Sequence, residues 1–117
     1  MTFPVNSHLS SDLKIRNNSE FKEVFERGNR LNTENFTVIY NRNSLGFPRL
    51  GLVVGKKSSK SAVGRNRIKR IFREVFRRNK NVFDTFDVVF LAKAKIETLD
   101  YKKAEAEISG IVGSKLL

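Results

Sequence analysis

The 117-residue chain has no cysteine, no long hydrophobic run and a single histidine. Without cysteine it can form neither a disulfide nor a thiolate metal site, which fits a reducing compartment. Its longest apolar stretches are strand-like pieces such as VVFLA, far shorter than the about 20 residues that cross a bilayer. The N-terminal MTFPVNSHLS lacks the charged start and apolar centre of a secretory signal. These absences lead us to expect a cytoplasmic protein.

Catalytic side chains are equally scarce. The only histidine, His8, lies in a polar, serine-rich terminus, and the acidic residues share no motif that could hold a metal ion. There is no histidine pair and no lysine–carboxylate constellation that would make a protein nuclease site. We therefore predict no catalytic residue, no metal ligand and no cofactor held by this chain alone. Asp87, at the start of a predicted strand, is expected to bind backbone or a cation.

Acidic residues are nearly absent from one segment, residues 56–80. This segment holds eleven lysines and arginines and one glutamate, so it carries +10 of the total charge of +11, and the rest of the chain sums to +1. A charge concentrated in this way forms a patch that attracts polyanions. The candidate partners are nucleic acid, an anionic membrane surface and an acidic protein.

The length of 117 residues predicts one domain, residues 1–117, and the polar, serine-rich composition of residues 1–12 predicts that they are poorly ordered. Six elements are predicted in the order α-β-β-α-β-α: a helix over 17–28, strands over 35–42 and 49–57, a helix over 64–79, a strand over 86–95 and a helix over 99–117. This order predicts an α+β fold with helix and sheet layers. The short connection NSLGFPR predicts that the first two strands pair antiparallel. The buried positions expected in the last helical segment are Leu99, Ile108, Ile111 and Val112.

The predicted strands have two different faces. One face is large and apolar and should be buried; it carries Phe36, Val38, Tyr40, Leu50, Leu52, Val54, Val88 and Phe90. The other face is smaller and becomes basic at its end; it carries Thr37, Ile39, Gly51, Val53, Gly55, Val89, Leu91 and Lys93. The second face is the candidate for an open surface.

The helix over 64–79 combines an apolar stripe with a basic face. The stripe, which can pack on the large face of the sheet, contains Ile68, Ile71, Phe72, Val75 and Phe76. The basic face covers about a third of the helix circumference and contains Asn66, Lys69, Arg70, Arg73 and Arg77. Because Glu74 is its only acid, i, i+4 ion pairs cannot neutralise this helix, and a polyanion would relieve the repulsion. The excess of arginine favours phosphate and base edges. A membrane is disfavoured because the sheet needs the apolar side.

Several segments of the chain resemble one known family. RLGLVVGKK, a seven-residue loop and RNRIKRIFREVF are similar to the protein subunits of bacterial ribonuclease P. The resemblance extends over roughly residues 13–95, from LKIRNNSEFKEVFERG to FDVVFLAKA. It implies a two-layer α/β sandwich with a left-handed βαβ crossover around the basic helix, where general rules predict a right-handed one.

The resemblance also implies a function and partners. The holoenzyme removes the 5′ leader of precursor tRNA; its RNA subunit is the catalyst and holds most of the Mg²⁺, and one protein per RNA assists binding. The residues that would contact the catalytic RNA are Arg65, Asn66, Arg67, Lys69, Arg70 and Arg73, to which the basic face adds Arg77. The residues that would line a cleft for the single-stranded leader are Phe21, Phe25, Thr37, Ile39, Val53, Lys57 and Lys93. Ile39 and Val53 depart from the polar or aromatic groups of some relatives, so leader preferences can differ.

Two other readings remain open. A structural RNA-binding protein of the ribosomal type would share the basic helix but would need no leader cleft, and Phe21 and Phe25 would then be core residues. A self-sufficient protein nuclease is the weakest alternative, because the chain lacks the side chains for it.

Overall fold

The computed structural model of the chain describes residues 14, 15 and 18–111. Its elements are α1 (Asn18–Arg27), β1 (Asn29–Asn32), β2 (Phe36–Arg42), β3 (Arg49–Val53), α2 (Ala62–Arg78), α3 (Lys80–Phe83), β4 (Phe86–Ala92) and α4 (Tyr101–Ile111). The predicted order of six elements is confirmed, and the short β1 and α3 are additional. Residues 1–12, with His8, and Val112 lie outside the described residues, as does the side chain of Ile111.

The four strands form one sheet in the order β1-β2-β4-β3. The predicted antiparallel pairing of β2 with β3 is wrong, because β4 lies between them, antiparallel to β2 and parallel to β3. The short connection suggested a hairpin, but the central place in a sheet goes to a strand that is apolar on both faces. β4 is such a strand, since six of its seven residues are buried. The left-handed sense of the β3-α2-β4 crossover stays a prediction from the resemblance.

The main core lies between the large face of the sheet and the helices α2 and α4. Phe36, Phe72 and Phe90 meet at its centre, with ring centroids 4.9 to 5.4 Å apart. Four of the five stripe residues of α2 are buried here, as predicted, and Ile71 is partly buried against them. Leu99 and Ile108 are buried as well. This packing holds α2 rigidly by one side and leaves its other side at the surface.

Helix α1 packs on the smaller face of the sheet. Val24 is buried there with Ile39 and Val89, and Phe21 and Phe25 pack around them. α1 covers only part of this face, because the next row of the sheet, containing Leu91 and Val53, is partly exposed. None of the helices within residues 14, 15 and 18–111 combines the length and hydropathy that crossing a membrane requires.

Candidate nucleic-acid interface

The outer face of α2 carries polar side chains that have no partner within the described part of the chain. Asn66 and Arg70 are exposed, and Lys69 and Arg73 are partly buried. Ser61 caps the helix, with its hydroxyl oxygen accepting a hydrogen bond of 2.9 Å from the Gly64 N–H. This face is therefore presented by a capped helix that is anchored on its opposite side.

Three other arginines of the predicted contact set have partners inside the protein. Arg65 donates to the carbonyls of Ser59 and Lys60, at 3.0 and 2.8 Å, and so ties α2 to the loop before it. Arg67 donates to the carbonyl of Glu97 at 3.3 Å. These bonds fix the orientation of the two guanidinium groups. Since a guanidinium has five N–H donors, each group keeps donors that can bind a phosphate or a base.

Arg77 belongs to a network centred on Glu74. The Glu74 carboxylate is fully buried and accepts hydrogen bonds from Arg77 and Arg78, the shortest of 2.6 Å. Burial alone would raise the pKa of Glu74, but the hydrogen bonds and charges of the two arginines outweigh it and hold the pKa below its ordinary value. Arg78 also lies 5.1 Å from the ring centroid of Tyr101 on α4. The only acid of the basic helix thus offsets one of the two positive charges in its last turn and holds Arg78, which contacts α4.

The smaller face of the sheet contains an open strip beside α1, which we call the cleft floor. It consists of Thr37, Leu91 and Val53, which face one another across β2, β4 and β3. Thr37 is largely buried and its hydroxyl donates to Asn32 Oδ1 at 2.7 Å, whereas Leu91 and Val53 are partly exposed. Ile39 has no exposed surface because α1 covers it, so its predicted place in the cleft is corrected to the core beneath α1.

Phe21 and Phe25 form one wall of the cleft. Their rings stack with centroids 5.6 Å apart, and both are partly exposed. Arg30 on β1 joins this wall, since it donates to the Phe25 carbonyl at 3.3 Å and lies 5.7 Å from the Phe25 ring centroid. The sequence did not identify Arg30 as a cleft residue, because β1 has only four residues and its polar and apolar side chains do not alternate. The basic NR pair after Gly28 was the available signal.

The two predicted cleft lysines differ in how they are held. The Lys93 ammonium donates to the Thr33 carbonyl at 2.6 Å, at the end of the cleft floor. The adjacent turn is fixed from α4, because Glu107 accepts hydrogen bonds from the backbone N–H and the side-chain amide of Asn35. Lys57 lies in the loop after β3, where its side chain is exposed and its carbonyl accepts from the Lys95 N–H at 2.8 Å. Lys93 is therefore fixed at the end of the cleft floor, whereas the Lys57 side chain is exposed in the loop after β3.

A second concavity, which we call the β3-edge groove, lies between α1 and α2 along the outer edge of β3. Its volume is about 230 Å³. The residues that line it are Lys14, Ile15, Phe21, Leu50, Gly51, Leu52, Lys69 and Arg73. Phe21 of the cleft wall and two cations of the α2 face thus meet in one groove, which the sequence did not predict because residue 14 and the edge position of β3 are set by tertiary packing.

Near the N-terminal turn of α1, Arg49 and Asp87 form a nearly buried ion pair. Two hydrogen bonds of 3.0 and 2.8 Å join the guanidinium to the carboxylate, and Arg49 also donates to Glu20 at 3.2 Å. The expectation that Asp87 binds a cation is confirmed. This pair ties β3, β4 and α1 together beside a groove of about 550 Å³. Among the described residues, no three histidine or carboxylate side chains gather to hold a metal ion.

Comparisons with known proteins agree with this architecture. A family model for ribonuclease P matches residues 9–115. The chain is 43% identical to the ribonuclease P protein component of Haemophilus influenzae over 96 residues, which are 82% of this chain and 81% of that one. The structure is similar to that of the Staphylococcus aureus RNase P protein, with a TM-score of 0.78 and 25% identity over 89% of this chain and 96% of that one. For the Thermotoga maritima RNase P protein, the TM-score is 0.74, with 32% identity over 85% of this chain and 94% of that one.

Proposed function

The chain belongs to the ribonuclease P protein family, and on this premise we propose that it binds a catalytic RNA through α2 and the 5′ leader of precursor tRNA through the cleft. In this role it is the protein subunit of a tRNA-processing endoribonuclease and acts in the cytoplasm. One protein chain serves one RNA.

The observation that carries the proposal is the set of side chains on the outer face of α2. Asn66, Lys69, Arg70 and Arg73 have no partner within the described residues, although α2 itself is anchored and capped. A rigid array of unneutralised cations is what a polyphosphate backbone requires, because each phosphate contact releases condensed counterions. Arginine in this array suits phosphate better than lysine, since its fork can bind two oxygens at once.

The cleft supplies the second half of the proposal. Stacked aromatic rings beside a partly apolar floor and nearby cations are typical of surfaces that bind single-stranded nucleic acid. Phe25 with Arg30 forms such a platform, and Lys93 and Lys57 lie toward the end of the floor. A structural RNA-binding protein would not need this strip, so the cleft is the feature that favours the ribonuclease P role.

The chemical step is assigned to the RNA subunit and its Mg²⁺. The described residues of this chain offer no cluster of metal-ligating side chains. Its contribution is to bind and orient: α2 docks on the RNA and the cleft holds the leader, which raises the population of correctly placed substrate.

Two variants test the two surfaces separately. Arg70→Gln is expected to weaken binding to the catalytic RNA and to reduce the logarithmic salt slope by about 0.7–0.9, whereas Lys102→Gln on exposed α4 serves as a control of equal charge. Phe25→Leu is expected to weaken holoenzyme binding of precursor tRNA more than of mature tRNA. Equal losses for both tRNAs would favour a structural RNA-binding protein, and an unchanged affinity of Arg70→Gln at every salt concentration would contradict the α2 assignment.

A further inference from the structure

Arg73 is an unusual cation on the α2 face. Its side chain is partly buried in the β3-edge groove, and burial lowers the pKa of its guanidinium, with the charge of Arg70 lowering it further. Within the described ranges no carboxylate pairs with Arg73, whereas Arg77 and Arg78 on the same helix both bind Glu74. A cation that has lost part of its water beside a second cation is costly unless an anion completes the site.

The groove around Arg73 offers more than charge. Lys14 and Lys69 add two cations, while Ile15, Leu52 and the ring of Phe21 add an apolar side. Because residue 51 is glycine, the Phe21 ring packs directly against β3 and lines the groove. Cations next to an aromatic ring favour a ligand with both a phosphate and a flat or apolar part.

The volume of the groove and the hydrogen bonding on the outer edge of β3 limit which ligands the groove can bind. Its volume of about 230 Å³ is below the roughly 300–1,000 Å³ of sites that enclose whole small molecules, so it suits one unit of a longer chain. A peptide adding as a strand is disfavoured, because the Ile15 N–H already donates to the Leu50 carbonyl at 3.1 Å on this edge of β3.

We propose that the β3-edge groove binds one nucleotide of single-stranded RNA, with a phosphate at Lys69 and Arg73 and its base or ribose against Phe21. The inference rests on the proposed function and deepens it: the groove joins the α2 face to the aromatic wall of the cleft. Phe21 then serves the nucleotide at the groove, and Phe25 serves the cleft on the other side of the stacked pair.

The first test is a double-mutant cycle between α1 and α2. Phe21→Leu, Arg73→Gln and the double variant of the full chain are compared, with Lys102→Gln as the control for lost charge. If one nucleotide contacts both side chains, each single change weakens RNA binding about tenfold, and the double change weakens it about thirtyfold rather than a hundredfold. Effects that multiply independently, or no effect of either variant, would overturn the proposal.

Two RNA sources are separated by measuring the cycle in two arms. One arm is the affinity of the protein for the catalytic RNA, and the other is the affinity of the reconstituted holoenzyme for precursor tRNA relative to leaderless tRNA. If the two changes are coupled in binding of the catalytic RNA, the nucleotide in the groove belongs to that RNA. If they are coupled in holoenzyme binding of precursor tRNA, the nucleotide belongs to the leader. If an acidic peptide of matched charge binds the free protein as tightly and loses as much affinity in both variants, the groove recognises carboxylates and the assignment to RNA is wrong.

A second measurement needs no variant and so does not depend on how well the variants fold. In the wild-type chain, a single-stranded RNA tetranucleotide should shift the Arg73 Nε–H and Phe21 ring resonances with one common saturation midpoint. Different midpoints, or no shift of the Phe21 ring, would contradict a shared nucleotide. If the holoenzyme cleaves precursor tRNA but the effects of Phe21→Leu and Arg73→Gln multiply independently, the nucleotide site in the groove is wrong and the proposed function still holds.

Discussion

The ring of Phe21 on α1 lies directly against the backbone of Gly51 on β3. A β-carbon at position 51 would come within 2.5 Å of Phe21 Cε2 and 3.1 Å of its Cζ, which is inside van der Waals contact. The absence of a side chain at Gly51 therefore sets how closely α1 approaches β3. The same contact fixes where the Phe21 ring lies, both against Phe25 and in the lining of the β3-edge groove.

Gly51→Ala is expected to lower the free energy of unfolding by about 1–3 kcal/mol, because the added methyl group overpacks the contact. It should also weaken holoenzyme binding of precursor tRNA, since the Phe21 ring has to move. Urea denaturation and tRNA binding measure the two effects. Gly55→Ala is the matched control, because a β-carbon there meets no atom within 4 Å. Equal losses in both variants would show that the Phe21–Gly51 contact has no special role.

Glu74→Gln is expected to lower the free energy of unfolding by about 2 kcal/mol at neutral pH, because the buried carboxylate loses its charge-assisted bonds to Arg77 and Arg78. The pKa of Glu74 is below its ordinary value in the folded protein. Its ionisation therefore stabilises the fold above the unfolded pKa of about 4.3, and this contribution disappears as the pH falls through the folded pKa.

The measurement that checks the Glu74 prediction is denaturation of wild type and Glu74→Gln over a range of pH. The difference in unfolding free energy should be largest above about pH 4.3 and shrink at lower pH. Glu34→Gln, which removes the same charge from an exposed turn, should change stability by less than about 0.5 kcal/mol. A constant difference between wild type and Glu74→Gln down to the lowest pH would contradict the ion-pair explanation.

Glu107→Ala is expected to loosen the turn at Asn35, because two hydrogen bonds to the carboxylate are lost. We expect a loss of about 1–2 kcal/mol in stability and a fall of about threefold in affinity for precursor tRNA, or roughly 0.6 kcal/mol. The turn also contains the Thr33 carbonyl that holds Lys93. Lys103→Ala, on an exposed position of the same helix, is the control. A stability loss without any change in precursor affinity would separate the turn from the cleft.

Much of the fold follows from periodicity in the sequence. The α2 stripe and the large face of the sheet pack into the main core as expected, because the positions in each set share one face of a regular element. Four of these positions, Tyr40, Leu52, Val54 and Ile71, are only partly buried. The strand order was not predictable in this way. The short connection between β2 and β3 favours a hairpin, whereas the apolar residues on both faces of β4 place that strand between them.

The candidate site was only partly predictable for a related reason. Residue type and helical spacing identified the α2 cations, and the resemblance identified the aromatic pair on α1. Neither the helical spacing nor the resemblance shows which of these cations have an acidic partner. In the structure Glu74 pairs with Arg77 and Arg78, whereas Arg73 has no such partner within the described residues. The burial of Ile39 was missed because the alternation of β2 gives its face but not how far α1 extends over it.

Reconstitution tests the central claim most directly. The purified protein is mixed with a bacterial ribonuclease P RNA at low Mg²⁺, and removal of the 5′ leader from precursor tRNA is followed, with each component alone as a control. We expect cleavage that requires both components and is weakened by Arg70→Gln. Tight binding of the RNA without any gain in cleavage would contradict the subunit role and favour a structural RNA-binding protein.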